Sequence, residues 1–172
     1  MNQKCFDWTQ FTISFYYDVD IQTLYKKWAT SDGLESFFIE KAIFKNQDSV
    51  IRKRNELIGV GDSYEWIWRH HYETSGQVLE AKENKRLAFT FGSMDFSLDF
   101  KTTSKGSLLL LHQKNIADEN KVMGHLNCRS CWIFFLTNLK SILITGVDLR
   151  DKNPDIASSM EVGFIPKEIY EG

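Results

Sequence analysis

Residues 94–145 read MDFSLDFKTTSKGSLLLLHQKNIADENKVMGHLNCRSCWIFFLTNLKSILIT, and the period of the apolar residues changes once inside this stretch. From Met94 to Lys101 it is two. Met94, Phe96, Leu98 and Phe100 face one way, and Asp95, Ser97, Asp99 and Lys101 face the other. That alternation predicts a half-buried strand. Ser104–Gly106 makes a turn, and Ser107–Asn115 is the next strand, with leucines on both faces at its start. From about Gly124 to Thr145 the period becomes 3.6, carried by Cys131, Trp132, Phe135, Leu136, Leu139, Ile142 and Leu143. This predicts a long amphipathic helix of roughly 20 residues, about 30 Å from end to end. Gly146 is positioned to end it in the left-handed conformation.

The same reading extends upstream. Lys85–Phe91 brings Leu87, Phe89 and Phe91 to one face, Gln77–Lys82 follows a Ser-Gly turn, and Ser63–Arg69 sets Tyr64, Trp66 and Trp68 opposite Glu65 and Ile67. Short turns between such strands imply an antiparallel meander. Phe11–Tyr17 alternates as well. Asp18 or Asp20 then caps a helix whose apolar face is Ile21, Leu24, Tyr25 and Trp28. A second short helix starts near Asp32, with Glu35 completing a capping box and Leu34, Phe37 and Phe38 on its apolar side. Residues 39–45 read as a strand, while 46–61 is a polar hairpin or loop. The order is strand, two helices, a run of antiparallel strands, then one long helix. Such a sheet must cover its apolar face, and the long helix is the obvious cover. A bent sheet cannot touch a straight helix everywhere, so a cavity lined by Trp and Phe is expected where they diverge.

The chain's 172 residues fit one domain, with a tail after Pro154. A net charge of −2 disfavours generic nucleic-acid binding. The N-terminus lacks a continuous apolar run of the secretory kind, and the most apolar stretch, Trp132–Val147, is too short and too polar to span a bilayer. A cytoplasmic protein with no membrane insertion is the expectation. The cysteines, Cys5, Cys128 and Cys131, give no disulfide framework.

Four segments resemble a known family: LYKKWATSDGLESFF (24–38), GDSYEWIW (61–68), GQVLEAKENKRLAFTF (76–91) and CWIFFLTNLKSILITGVDLR (131–150). Together they are similar to the helix-grip fold of the START and birch-pollen-allergen (SRPBCC) superfamily, in its branch named for the activator of heat-shock-protein-90 ATPase. Coverage runs from about residue 7 to 153. The resemblance implies an α+β helix-grip fold: a curved antiparallel β-sheet wrapped around a long C-terminal helix, with two short helices after the first strand. It also implies small apolar-ligand binding. The superfamily includes polyketide cyclases and lipid-transfer domains, and fold alone does not choose among them.

The chemistry-bearing residues are few. His125-x-x-Cys128-x-x-Cys131 falls on one helical face and reads as a thiol pair near a helix N-terminus, as part of a metal site, or as core filler. The filler reading is favoured, because a structural zinc site wants four ligands and no second Cys pair exists. His70-His71 point to opposite faces of a strand end. Asp95, Asp99 and Glu65 lie opposite the aromatics, on a solvated surface. No HExxH, GxSxG or P-loop motif occurs.

The reading is therefore a small hydrophobic or aromatic ligand held between sheet and helix by Trp66, Trp68, Phe89, Phe91, Phe96, Phe100, His112, Trp132, Phe135 and Leu139, with His112 or Asn138 orienting it. No catalytic residue, metal or cofactor is expected. The alternatives are a cyclase-like or hydrolase-like enzyme acting on a pocket-bound apolar substrate, and a chaperone-associated interaction module. A homodimer remains an open arrangement.

Overall fold

Asp20 begins the helical part of the chain: its carboxylate accepts a hydrogen bond from the Thr23 N–H at 2.8 Å, the N-cap expected of it. The computed structural model describes residues 6–68 and 72–152. Strand β1 (Phe11–Tyr17) leads into α1 (Ile21–Ala29) and α2 (Ser31–Glu35). Strands β2 (Lys41–Lys45), β3 (Ser63–Ile67), β4 (Glu73–Lys82), β5 (Arg86–Phe91), β6 (Met94–Thr103) and β7 (Gly106–Lys114) follow. After a 3-10 turn (Asp118–Asn120), α3 runs from Lys121 to Thr145.

The strands form one seven-stranded antiparallel sheet in the order β1-β7-β6-β5-β4-β3-β2. Only the β1–β7 pairing is non-sequential, and the helices α1 and α2 fill the crossover. The register puts the alternating apolar sets on one side. Phe96 pairs with Phe89 and Gln113, and Leu98 with Leu87 and Leu111. A bulge between Val78 and Glu80 shifts the β4 register, which adds local bend and twist. On β7 the two leucine sets separate: Leu109 and Leu111 are fully buried, while Leu108 and Leu110 are half-buried on the outer face.

Helix α3 begins at Lys121, a turn earlier than the apolar period shows, because polar residues lead into it. Its inner face is Trp132, Phe135, Leu136 and Leu139. Its outer side is not purely polar, since Val122, Ile133 and Ile144 are exposed there. Gly146 ends the helix at φ 75°, donating its N–H to the Ile142 carbonyl at 3.0 Å. Among the described residues no helix is long and apolar enough to cross a membrane.

One local expectation in this part of the chain needs correction. The cap of α2 is Thr30, whose hydroxyl accepts from Gly33 N–H at 3.0 Å. Asp32 and Glu35 instead engage Arg54, and Glu35 also accepts from the Ala42 N–H. Gly33 sits where any Cβ would press into the α1 backbone at Lys26 and Lys27, which sets how closely α1 and α2 approach. The 46–61 segment is both hairpin and loop. An Asn46–Val50 turn closes a bridge between Lys45 and Ile51, and the remainder is anchored by Arg52 to the buried Asp62.

Asn138 does not face a ligand site. Its amide donates to the Phe37 carbonyl at 2.8 Å and to Asp148 at 3.0 Å, and its oxygen accepts from Leu149 N–H at 2.7 Å. Arg150 donates to the carbonyls of Ile39 and Glu35, both at 2.9 Å, and pairs with Asp148. These residues fasten the end of α3 to the segment between α2 and β2. Burial pushes the Asp148 carboxyl up, but hydrogen bonds from Arg150 and Asn138 outweigh it and hold the group well below the usual carboxylate range. A depressed folded-state value stabilises above the unfolded value of about 4 and loses that stabilisation as pH falls below it. Asp148→Asn should therefore be less stable than the parent at pH 7, with the two converging below about pH 4 in denaturant unfolding. A difference that does not shrink with acid would contradict this assignment. The tail, residues 154–172, lies outside the described residues.

Candidate functional site

A cavity of about 300 Å³ opens between the N-terminal half of α3 and one end of the sheet. The helix supplies Asn127, Cys128, Cys131, Trp132 and Phe135, at spacings that return to one face. Phe91 and Met94 come from the two strands flanking the Gly92 turn, where they form the last cross-strand pair of β5 and β6. Trp68 and Tyr72 flank the β3–β4 connection and are joined by a 2.8 Å bond from Trp68 N–H to the Tyr72 carbonyl. Phe38, just after α2, closes the inner end. Tyr72, 59% exposed, stands at the rim.

The wall is built of aromatic rings held by other rings. Phe38 stacks on Trp132 at 5.3 Å and meets Trp68 and Phe135 edge-on at 5.5 and 4.9 Å. Trp132 is fixed by its N–H, which donates to Gln113 Oε1 at 2.9 Å. Gln113 is itself fully buried, and its amide donates to the Asp95 carbonyl at 3.0 Å. A buried amide with both ends satisfied sets the indole's rotation as well as its depth.

The residues expected to bind ligand divide into groups. Trp68, Phe91, Trp132 and Phe135 border the cavity. Trp66, Phe89 and Phe96 stand one layer behind, ring against ring, with Phe89 and Phe96 stacked at 5.0 Å. Phe100 lies elsewhere on the inner face, edge-on to Tyr25 at 5.2 Å, and Leu139 is fully buried. Neither borders the cavity. His112 sits on the outer face, between Thr12 at 2.9 Å and Asp99 at 3.0 Å. With Arg86 and Glu80 these residues form a polar row across the sheet, so His112 cannot orient a ligand in this cavity. Its face follows from β7, where the odd-numbered residues turn inward.

Phe38, Tyr72, Met94, Asn127, Cys128 and Cys131 are the lining residues that the sequence argument did not select. Met94 shares the Phe96 face, and Cys128, Cys131 and Phe135 share a helical stripe, so those signals were present. The sequence pattern puts Phe38 on the apolar side of the second helix, but α2 ends at Glu35 and leaves it in the connection to β2, and Tyr72 stands between strands. Cys128 and Cys131 are thiols well inside the helix. Burial pushes both up, Cys131 to about 11 with the neighbouring Cys128 adding to it. A thiolate activated at a helix N-terminus is therefore not what the structure presents. His125 is taken up structurally: Nδ1 lies 3.1 Å from the Trp8 carbonyl, and Phe6, Trp8 and Phe11 surround the ring. Cys5, His70 and His71 lie outside the described residues. Among the described residues no group of three His, Cys, Asp or Glu side chains is placed to hold a metal.

The fold is shared with several solved structures. Protein SSP2350 from Staphylococcus saprophyticus superposes with a TM-score of 0.69 at 18% identity, over 82% of this chain and 96% of that one. A protein described as the Aha1 dimer from Colwellia psychrerythraea does so at 0.62 and 16%, over 80% and 97%. DynU16, described as a putative protein in the dynemicin biosynthetic locus, does so at 0.64 and 12%, over 83% and 50%. At these identities the likeness concerns the fold alone. No curated protein matches the chain. The family model described as Activator of Hsp90 ATPase homolog 1-like protein matches residues 18–144. That span runs from the end of β1 to the last turn of α3, and the chain belongs to this family.

Proposed function

We propose that the protein binds a small hydrophobic or aromatic molecule in the cavity between α3 and the β3–β6 end of the sheet. The carrying observation is the cavity itself, walled chiefly by aromatic rings and sulfur side chains, with Trp132 fixed by its bond to Gln113. Its volume of about 300 Å³ is at the lower end for small-molecule sites, and roughly twice the ~150 Å³ apolar hole that accepts one benzene ring. A ligand giving up roughly 200 Å² of apolar surface gains about 5 kcal/mol before the costs of association. Asn127 and Tyr72 bring an amide and a hydroxyl to the cavity wall.

Among the described lining residues there is no carboxylate, histidine or basic side chain, and burial pushes the two thiols up, which supports binding over the cyclase-like or hydrolase-like alternative. The neutral dye N-phenyl-1-naphthylamine tests the reading. One equivalent should bind with enhanced emission, and Cys131→Phe, which fills the chamber from the helix side, should weaken binding by at least about tenfold while the chain stays folded. Equal binding by parent and variant would reject the cavity as the site. Cytoplasmic residence belongs to the same reading. The description of the Colwellia protein as a dimer supports a homodimer as a second arrangement. Light scattering should then give twice the 20.1 kDa chain mass, and a monomer would reject it.

A further inference from the structure

Three sulfur-bearing side chains line the cavity. Cys128 and Cys131 are one helical step of three apart and both line it, and Met94 faces them from the start of β6. Cys128 Sγ lies 4.0 Å from Met94 Sδ. Three sulfurs in a plane around a common centre at a metal–sulfur distance of ~2.3 Å stand about 4 Å from one another. The Cys128–Met94 separation matches one edge of such a set, and Cys131, three residues further along the same helix face, borders the same cavity as the candidate third donor.

From this juxtaposition we infer that Met94, Cys128 and Cys131 form a binding site for a soft monovalent metal ion, Cu(I) or Ag(I). The donor set selects this class. Thiolates and a thioether favour soft ions, whereas zinc prefers four harder or fully charged donors. A monovalent ion bonds to both cysteine sulfurs as thiolates and both thiol protons leave to water, so the occupied site carries one negative charge; the thioether is a neutral third donor, and no electron is transferred. Trp132, Phe91 and Phe135 surround these side chains in the same cavity. The site goes beyond apolar-ligand binding and occupies the same chamber, so an ion and an apolar ligand compete.

The test is an anaerobic titration of the full chain carrying Cys5→Ser, with Ag(I) or Cu(I) in competition with a chromophoric chelator. One equivalent should bind, Zn(II) should not compete, and the bound ion should protect both remaining thiols from alkylation, read by intact mass. Cys128→Ser and Cys131→Ser should each abolish binding. Met94→Leu keeps the volume of the side chain and should weaken binding by about tenfold. Binding without a defined stoichiometry, binding that survives both serine variants, or full affinity in Met94→Leu would overturn the site. Loss of the ion with retention of the dye rejects this inference alone, and the converse rejects the apolar-ligand reading alone.

Discussion

Trp132→Ala is expected to lower the stability by about 3–5 kcal/mol, the usual cost of emptying a large aromatic site. Trp132 is 4% exposed and contacts Phe96 at 4.9 Å, Phe38 at 5.3 Å, Trp28 at 6.1 Å and Phe91 at 6.2 Å. Its removal opens a void continuous with the existing chamber, so the neighbouring rings lose contact on one side and cannot all close in. It also leaves Gln113 Oε1 buried without its donor, which adds about 1–3 kcal/mol where water does not replace it. Trp132→Phe separates the two effects: it restores most of the ring contacts and removes only the indole N–H. Its loss should be the smaller, and Gln113→Leu in the same background should add little further. Denaturant unfolding at neutral pH measures all three. A loss below about 1 kcal/mol in Trp132→Ala would mean that the rings of the wall do not depend on one another.

Arg52→Ala is the second large effect, at about 3–5 kcal/mol. The Asp62 side chain is 1% exposed. It accepts from Arg52 through Nε and, at 3.0 Å, through Nη2, and from the Gly59 N–H at 2.7 Å. Truncating the arginine strands a buried carboxylate with one backbone donor, while the backbone bond from the residue 52 N–H to the Phe44 carbonyl is kept. Arg52→Lys keeps the charge but not the two-pronged geometry, and should fall between parent and alanine. Asp62→Asn combined with Arg52→Ala should recover part of the loss. Strict additivity of the two single changes would show that the pair is not coupled.

The sequence stated the architecture well wherever periodicity was strong. The β6 alternation, the helical run to Thr145 and the Gly146 stop fell within a few residues of the observed elements. The 3.6 and 2.0 periods are imposed by backbone geometry and need no tertiary information. It failed where the deciding contact was remote. Thr30 displaced Asp32 as the α2 cap because Arg54, from a distant loop, engages Asp32 and Glu35. Asn138 reads as a polar residue on an apolar face, and only the chain folding back after Gly146 shows that Phe37, Asp148 and Leu149 satisfy it. The inward-facing aromatics were legible as a set. Which of them fill the core and which border the cavity depends on where helix and sheet part, and that is a property of the bulge and the helix path together.

The connected rings have an optical corollary. Trp66 and Trp68 lie 6.2 Å apart, Trp28 and Trp132 6.1 Å, and Phe38 touches all four. At such separations electronic excitation passes between indoles faster than it is radiated. Excitation absorbed by any of the four therefore reaches the others, and a single quenching group lodged beside Trp132 would lower the emission of the whole set.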